Sequence, residues 1–314
     1  MKIKELWNKI RKGVKAGMAA ATESNVLTDN RVVSMIEKFK ASGKYKLMQE
    51  GERYYQADND IKNRKITRKV DGHKEEETWR ANNKLAHAKY KIQVDEKIAY
   101  LLTKPVTYKT DGTDKNDTYV EKVKDVLGKH FQYQLTQLGY EASNKGIGWL
   151  HVYLDPEGEL KTIVIPAEQC IPYWSDRSHT ELDAMIRVYN TTVWQHNQEK
   201  EITNVEIWTK DGVKYYRLEG QMLVYDNDKS MDAGGPVAHY KSVEEWETWG
   251  KVPFIPFKNN QIEMPDIKFV KSLIDGYDLG RSEAANYMDE VKNLIFVLKG
   301  YGGQKSIRFY KTAQ

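Results

Sequence analysis

Toward the end of the chain, apolar residues recur at alternating spacings of four and three: Val270, Ile274, Tyr277, Ala284, Met288, Val291, Ile295 and Leu298, with Arg281 the polar occupant of the series. This spacing predicts one long helix. Pro265-Asp266 supplies its start, with Asp266 as N-cap, and Gly300, Gly302 and Gly303 supply its stop. At 1.5 Å per residue the helix would run for roughly 50 Å. Leu273, Tyr287 and Leu294 widen the apolar seam, while Gly276 and Gly280 leave room for another backbone to approach. The opposite face carries Asp275, Ser282, Glu283, Asn286, Asp289, Glu290 and Asn293, polar and acidic without a lysine, and is expected to look toward solvent or a lumen. Its charges exclude a membrane span. The pattern by itself also fits the ordinary alternative, a long core helix or half of an antiparallel pair.

Upstream, the periodicity is helical over 28–56, broken at Ser42-Gly43, and again over 117–127 and 131–145. Between these, Asn83 is placed to cap a helix whose apolar face is Leu85, Ala88, Ile92, Ile98 and Leu102, with Pro105 ending it. The period then changes to two. Residues 146–154 alternate as a strand, Asp155-Pro156-Glu157-Gly158 turns the chain, and 160–165 returns as the second arm of a hairpin. Further strands are expected at 171–174, 185–189, 203–209, 214–218 and 222–225. The prolines of 252–260 forbid helix there and favour an extended edge or crossing strand. The fold class is α+β: a mainly helical N-terminal half, an antiparallel β region, then one long helix. No solenoid-type repeat is present.

Composition adds a limit rather than a direction. With 314 residues, 40% hydrophobic, eight Trp and twenty Tyr, the chain can build a real core of one large or two ordinary domains. A net charge of +4 is small for 30% charged residues and gives no footprint of a sequence-reading nucleic-acid binder. Residues 1–21 are an exception, a basic amphipathic segment with Ile3, Leu6, Trp7, Ile10, Val14 and Met18 on one face. It fits an arm on a neighbouring subunit, a membrane-surface helix, or a helix docked on its own domain. The run Lys62, Arg64, Lys65, Arg68 and Lys69 reads as a solvated loop. The single Cys170 makes no internal disulfide, which fits a reducing compartment and a buried, inert thiol.

Candidate chemistry is sparse. Gly300 to Ser306 superficially has the glycines and lysine of a phosphate loop, but Gln304 stands where glycine is required and a helix precedes it instead of a strand. The seven histidines lack metal spacing, and a loop with Asp226, Asp228 and Asp232 is a weak cation candidate. No catalytic residue, metal or cofactor is expected.

Several stretches resemble the portal proteins of long-tailed bacteriophages. They are Lys271-Ser272-Leu273-Ile274-Asp275-Gly276-Tyr277-Asp278, Arg281 to Asn286 and Asn293 to Gly300 in the long helix, the paired tyrosines and Asp-Ile turn of Tyr54-Tyr55 and Asp60-Ile61, and Asn82-Asn83 followed by Val94-Asp95 and Tyr100 to Pro105. Gly146 to Gly148 and Ile165-Pro166-Ala167-Glu168 match that family's wing in order, whereas Thr103 stands where a glycine is usual. The resemblance implies an arm at 1–27, a wing at 28–257 (helices 28–145, β-rich 146–257), a stem helix at 258–300, and at 301–314 the start of a clip or a truncated tail. It further implies a dodecameric ring around double-stranded DNA at a capsid vertex of the virion, assembled in the host bacterial cytoplasm. Val270, Ile274, Tyr277, Ala284, Met288, Val291, Ile295 and Leu298 would then pack between stems, and the acidic face would line the channel. Partners implied are the terminase large subunit, the head-to-tail adaptor, and capsid and scaffold proteins, with no membrane. A clip, returning stem helix, tunnel loop and crown are expected to follow the stem in such proteins, and 314 residues do not accommodate them. A soluble coiled-coil protein and a DNA-processing enzyme are the alternatives from other classes.

Overall fold

The computed structural model describes residues 27–109, 117–155, 157–195, 198–227, 229, 236–241 and 246–292. The expected arm at 1–27, save its last residue, and the tail at 301–314 lie outside them, as do Asn293, Ile295 and Leu298. The architecture is mixed α/β, as the periodicity predicts. Contacts divide the chain into two units, neither continuous: 1–56 with 88–270, and 57–87 with 271–314.

In the first unit, α1 (Asp29–Ala41) and α2 (Gly43–Tyr55) meet at Ser42, whose extended backbone ends one helix and whose hydroxyl accepts the Tyr45 N–H at the start of the next. Helices α3 (Lys89–Leu102), α4 (Asp117–Leu127) and α5 (Phe131–Lys145) follow. Helix α3 starts later than Asn83 predicts: Tyr90, Val94 and Ile98 form its buried stripe, while Leu85 and Ile92 are exposed. The reason lies in the second unit, where backbone donors of 83–87 are engaged elsewhere.

Two antiparallel sheets complete this unit. Strands β3 (Ile147–Leu154) and β4 (Leu160–Ile165) form the expected hairpin, and β10 (Phe254–Lys258) adds at the other edge of β3, in the order β10-β3-β4. The second sheet is a five-stranded meander of β5 (Cys170–Trp174), β6 (Leu182–Gln195), β7 (Gln198–Thr209), β8 (Gly212–Glu219) and β9 (Met222–Tyr225). Because side chains alternate along a strand, β6 and β7 serve two cores at once. Ile186, Val188, Val205 and Ile207 pack with Val32 and Ile36 of α1, while Met185 and Trp208 on the other face join Trp149, Ile165 and Phe254. Cys170 is buried in the latter cluster, and burial pushes its thiol pKa up, so it is inert.

The approach to the long helix is fastened within this unit. Glu263, at φ 52°, is 4% exposed and receives Lys44 at 2.6 Å, His179 at 2.8 Å and Lys258 at 3.2 Å. Burial alone would raise its pKa; the hydrogen bonds from Lys44, His179 and Lys258 and the Lys44 charge overcome that and hold the carboxyl at about 2. Gly146 ends α5 at φ 88°, and a Cβ there would stand 2.4 Å from the Glu263 carbonyl oxygen, so only glycine permits the approach. Asp266, the expected N-cap, accepts from Lys97 at 2.7 Å and Asn259 at 2.8 Å.

The second unit contains a 3-10 turn (Asp60–Asn63) and a hairpin of β1 (Thr67–Val70) and β2 (His73–Glu76), which the hydropathy pattern does not announce. Its turn is Asp71-Gly72, both at positive φ (49° and 84°), the two-residue geometry that matches strand twist. Helix α6 (Ile267–Lys292) begins in the first unit, and from Lys271 onward it belongs to the second.

Candidate functional site

Four residues of α6 one helical turn apart, Ile274, Asp278, Ser282 and Asn286, form its buried stripe. Three of them are polar, and what buries them is the extended segment 83–87 of the same unit. The His87 N–H donates to Asp278 Oδ1 at 3.2 Å, the Leu85 N–H to Ser282 Oγ at 3.0 Å, and the Asn83 N–H to Asn286 Oδ1 at 2.6 Å. The match is one of repeat lengths: two residues of extended chain advance about 6.6 Å, and four residues of helix about 6.0 Å. Side-chain oxygens on the helix thus stand where a neighbouring strand's carbonyls would be, and they satisfy alternate backbone donors that otherwise would be buried unpaired.

Asp278 is the focus of this ladder. Fully buried, it also accepts from Asn59 Nδ2 at 2.5 Å and meets His87 Nδ1 at 2.9 Å, while Asn59 Nδ2 holds the His87 carbonyl at 3.1 Å. The His87 ring stands edge-on to Tyr277 with centroids 4.9 Å apart. At the upper end, Asn83 Nδ2 donates to Asp289 Oδ2 at 2.8 Å, and this bond together with Lys292 lowers the Asp289 pKa.

These contacts correct the expected solvent-facing acidic face. Ser282 (0% exposed) and Asn286 (4%) are buried against the chain itself. Asp275, Glu283, Asp289 and Glu290 stay partly exposed, but each has a cation: Lys271 at 2.8 Å for Asp275, Arg64 for Glu283, Lys292 at 3.4 Å for Asp289 and Arg80 at 3.2 Å for Glu290. Lys271 also reaches Asp60 at 2.5 Å. Helix periodicity alone does not reveal this, because Arg64 and Arg80 lie some 200 residues earlier in the chain. Most of the basic run is paired as well: Lys62 with Asp58, Arg64 with Glu283, Lys65 with Glu76 and Arg68 with Glu75 and Glu77.

The apolar seam has the opposite fate. Ile274 is buried, whereas Leu273 (72% exposed), Ala284, Tyr287, Met288 and Val291 lie open on the side away from the ladder, Tyr277 is exposed beside His87, and Val270 is half-buried. Gly276 and Gly280 open onto the same side, with nothing within 4 Å of a Cβ built on either. Residue 278, which takes part in three of these hydrogen bonds, is not among the expected site positions; its i+4 spacing to Ser282 and Asn286 is the available signal. Asp226, from the loop considered for a cation, is buried on Arg217 at 2.6 Å, while Asp228 and Asp232 are outside the described residues. Among the described residues no group of His, Cys, Asp and Glu is arranged to hold a metal, and no helix is long and apolar enough to cross a membrane.

Comparison with known proteins gives a consistent result. The sequence model of the family described as "Phage portal protein, SPP1 Gp6-like" matches residues 40–312. The portal protein of Bacillus phage SPP1 is 32% identical over 278 residues, covering 88% of this chain and 53% of that protein. The portal protein of Clostridium phage phiCD119 is 31% identical over 268 residues, 82% of this chain and 56% of its own length. The chain thus spans about half the length of these relatives.

Proposed function

We propose, because this chain belongs to the SPP1 Gp6-like family of phage portal proteins, that it supplies one subunit of a ring through which double-stranded DNA passes during genome packaging and ejection. The family is one of structural ring channels for DNA translocation and not of enzymes. Residues 28–257 act as wing in this reading and α6 as the stem helix.

The observation that carries the reading is the two-sidedness of α6. One side is occupied by the chain's own segment 57–87; the other is a stripe of exposed apolar side chains along a 26-residue helix. Contiguous exposed apolar surface of this kind marks an interaction site. Identical stems placed around an axis would cover it, with head-to-tail contacts that close into a cycle. Subunit packing then falls to Val270, Tyr277, Ala284, Met288 and Val291, with Leu273 and Tyr287 beside them. The channel-facing groups are the partly exposed carboxylates Asp275, Glu283, Asp289 and Glu290. Their charge is already balanced, so this wall is close to neutral, which suits passage of a duplex without adhesion. The ring is a dodecamer at one capsid vertex, and it engages the terminase large subunit, the head-to-tail adaptor, and capsid and scaffold proteins.

Native mass measurement and negative-stain imaging test this on the chain extended to the family's full length. Closed rings at micromolar concentration are the expected result. Monomers or dimers alone overturn the reading.

A further inference from the structure

The hairpin of β1 and β2 has no visible structural purpose of its own. Seven of its eight strand residues are exposed, with Val70 half-buried, so it covers almost no core. A two-stranded hairpin without a buried face is marginally stable in water, and its side chains are free of packing constraints. Their arrangement is therefore informative. Arg68 faces Glu75 directly across the ladder, a complementary pair, and Lys65 reaches Glu76 at 3.1 Å. Next to the tip the pattern inverts: Lys69 stands directly opposite Lys74. Like charges placed opposite each other destabilise a hairpin. No ion pair engages either lysine among the described residues, in a unit whose neighbouring cations Lys62, Arg64, Lys65, Arg68 and Arg80 are all paired. The register set by the tight turn at Asp71-Gly72 puts Lys69 and Lys74 on one face of the hairpin next to its tip, with His73 on the other.

We infer that this tip is a contact for nucleic-acid backbone phosphate, with Lys69 and Lys74 straddling the chain of phosphodiesters. Opposed residues on a ladder have Cβ atoms about 5 Å apart, and flexible four-carbon stems let two ammonium groups reach one phosphate or two neighbours on a duplex that carries a charge every ~1.7 Å of axis. The compact ammonium acts as a point charge without base preference, which suits a sequence-independent contact. The bound phosphate also removes the lysine–lysine repulsion, so the tip is more stable occupied than free. This inference rests on the portal reading in taking duplex DNA as the ligand.

The test is fluorescence anisotropy of a mixed-sequence 30-base-pair duplex titrated with the full chain, at salt from 50 to 200 mM. The wild type is compared with Lys69→Gln/Lys74→Gln and with a charge-matched control, Lys38→Gln/Lys40→Gln, at two exposed lysines of α1. Each phosphate contact contributes about 0.9 to the slope of log affinity against log salt, so the hairpin variant should lose about 1.8 of slope. Across that salt range this is a roughly tenfold difference in affinity change. The control should leave the slope within error. An equal slope in wild type and hairpin variant, an equal loss in the control, or no duplex binding by the wild type each overturns the inference. Imaging of the chain extended to the family's full length separates the two readings: rings there with an unchanged slope here refute the tip contact alone, and tip-dependent binding here without rings there refutes the portal assignment alone.

Discussion

The β-rich body of the first unit and the helix-and-segment pairing of the second are held together by different physics. In the former, the fully buried side chains are Trp149, Met185, Ile186, Val205 and their neighbours, and removal of apolar area from water is the driving term. In the latter, the described buried hydrophobic residues are Ile61 and Ile274, while Asn59, Asp278, Ser282 and Asn286 are buried polar groups. A hydrogen bond contributes only about 1 kcal/mol net, yet leaving its buried partner unmade costs about 1–3 kcal/mol. The body is therefore stable and tolerant of small misfit. The pairing on α6 is specific and more easily opened, as expected of a region with few buried apolar contacts.

Substitutions can push on each side of this contrast. The largest effect belongs to the body: Trp149→Ala leaves a cavity where the sheets meet and should cost about 3–5 kcal/mol in chemical denaturation, lowering cooperative stability of the first unit. Asp278→Ala comes next. It orphans the His87 N–H, at about 1–3 kcal/mol, and leaves the Asn59 amide only the His87 carbonyl as acceptor, so hydrogen exchange should accelerate at 83–87 while β6 to β8 keep their protection. Equal deprotection of both regions would erase the distinction between the units.

Acid offers a third handle, on the fastening at Glu263. Its carboxyl titrates at about 2 in the folded chain against 4.5 ordinarily, so its contribution is fully present above pH 4.5 and is lost as pH falls from there toward 2. Thermal unfolding at successive pH values should show Glu263→Gln with a flatter acid limb in that window. Ser282→Ala is milder, removing one acceptor and leaving the Leu85 N–H unpaired, at about 1 kcal/mol. Leu273→Ser with Met288→Ser should be smallest for the isolated subunit, within about 0.5 kcal/mol, because both are exposed. The same pair should abolish ring formation in sedimentation, and a destabilised subunit with intact rings would place the stripe in the chain's own core.

Where local pattern and tertiary environment agree, the fold was legible. The hairpin at 147–165, the meander to Tyr225 and the helices at 29–55 and 117–145 all stand where periodicity places them. Residues 83–87 were misread as the start of a helix because Asn83 is a good cap by identity, and the sequence nearby holds no trace of the acceptors on α6 that draw those N–H groups away. Hydropathy failed at Ser282 and Asn286 for a related reason. A polar residue satisfied by a backbone donor and one satisfied by water have the same hydropathy. The Asp71-Gly72 hairpin carried a clear turn signal, but its strands are polar on both faces and lack the alternation by which strands are recognised.

The ladder on α6 also divides the freedom of its two partners to vary. What the segment gives at 85 is a main-chain N–H alone, which every amino acid but proline possesses, with side chains added at 83 and 87; what the helix gives at 278, 282 and 286 is a side-chain oxygen at a fixed reach, which few do. Drift through mutation should therefore be lopsided. Through Leu85 the segment can change its outward character with the helix untouched, and a new surface can be tried there without loss of the old support. Across many generations Ser282 would keep a record of the contact that residue 85 itself does not.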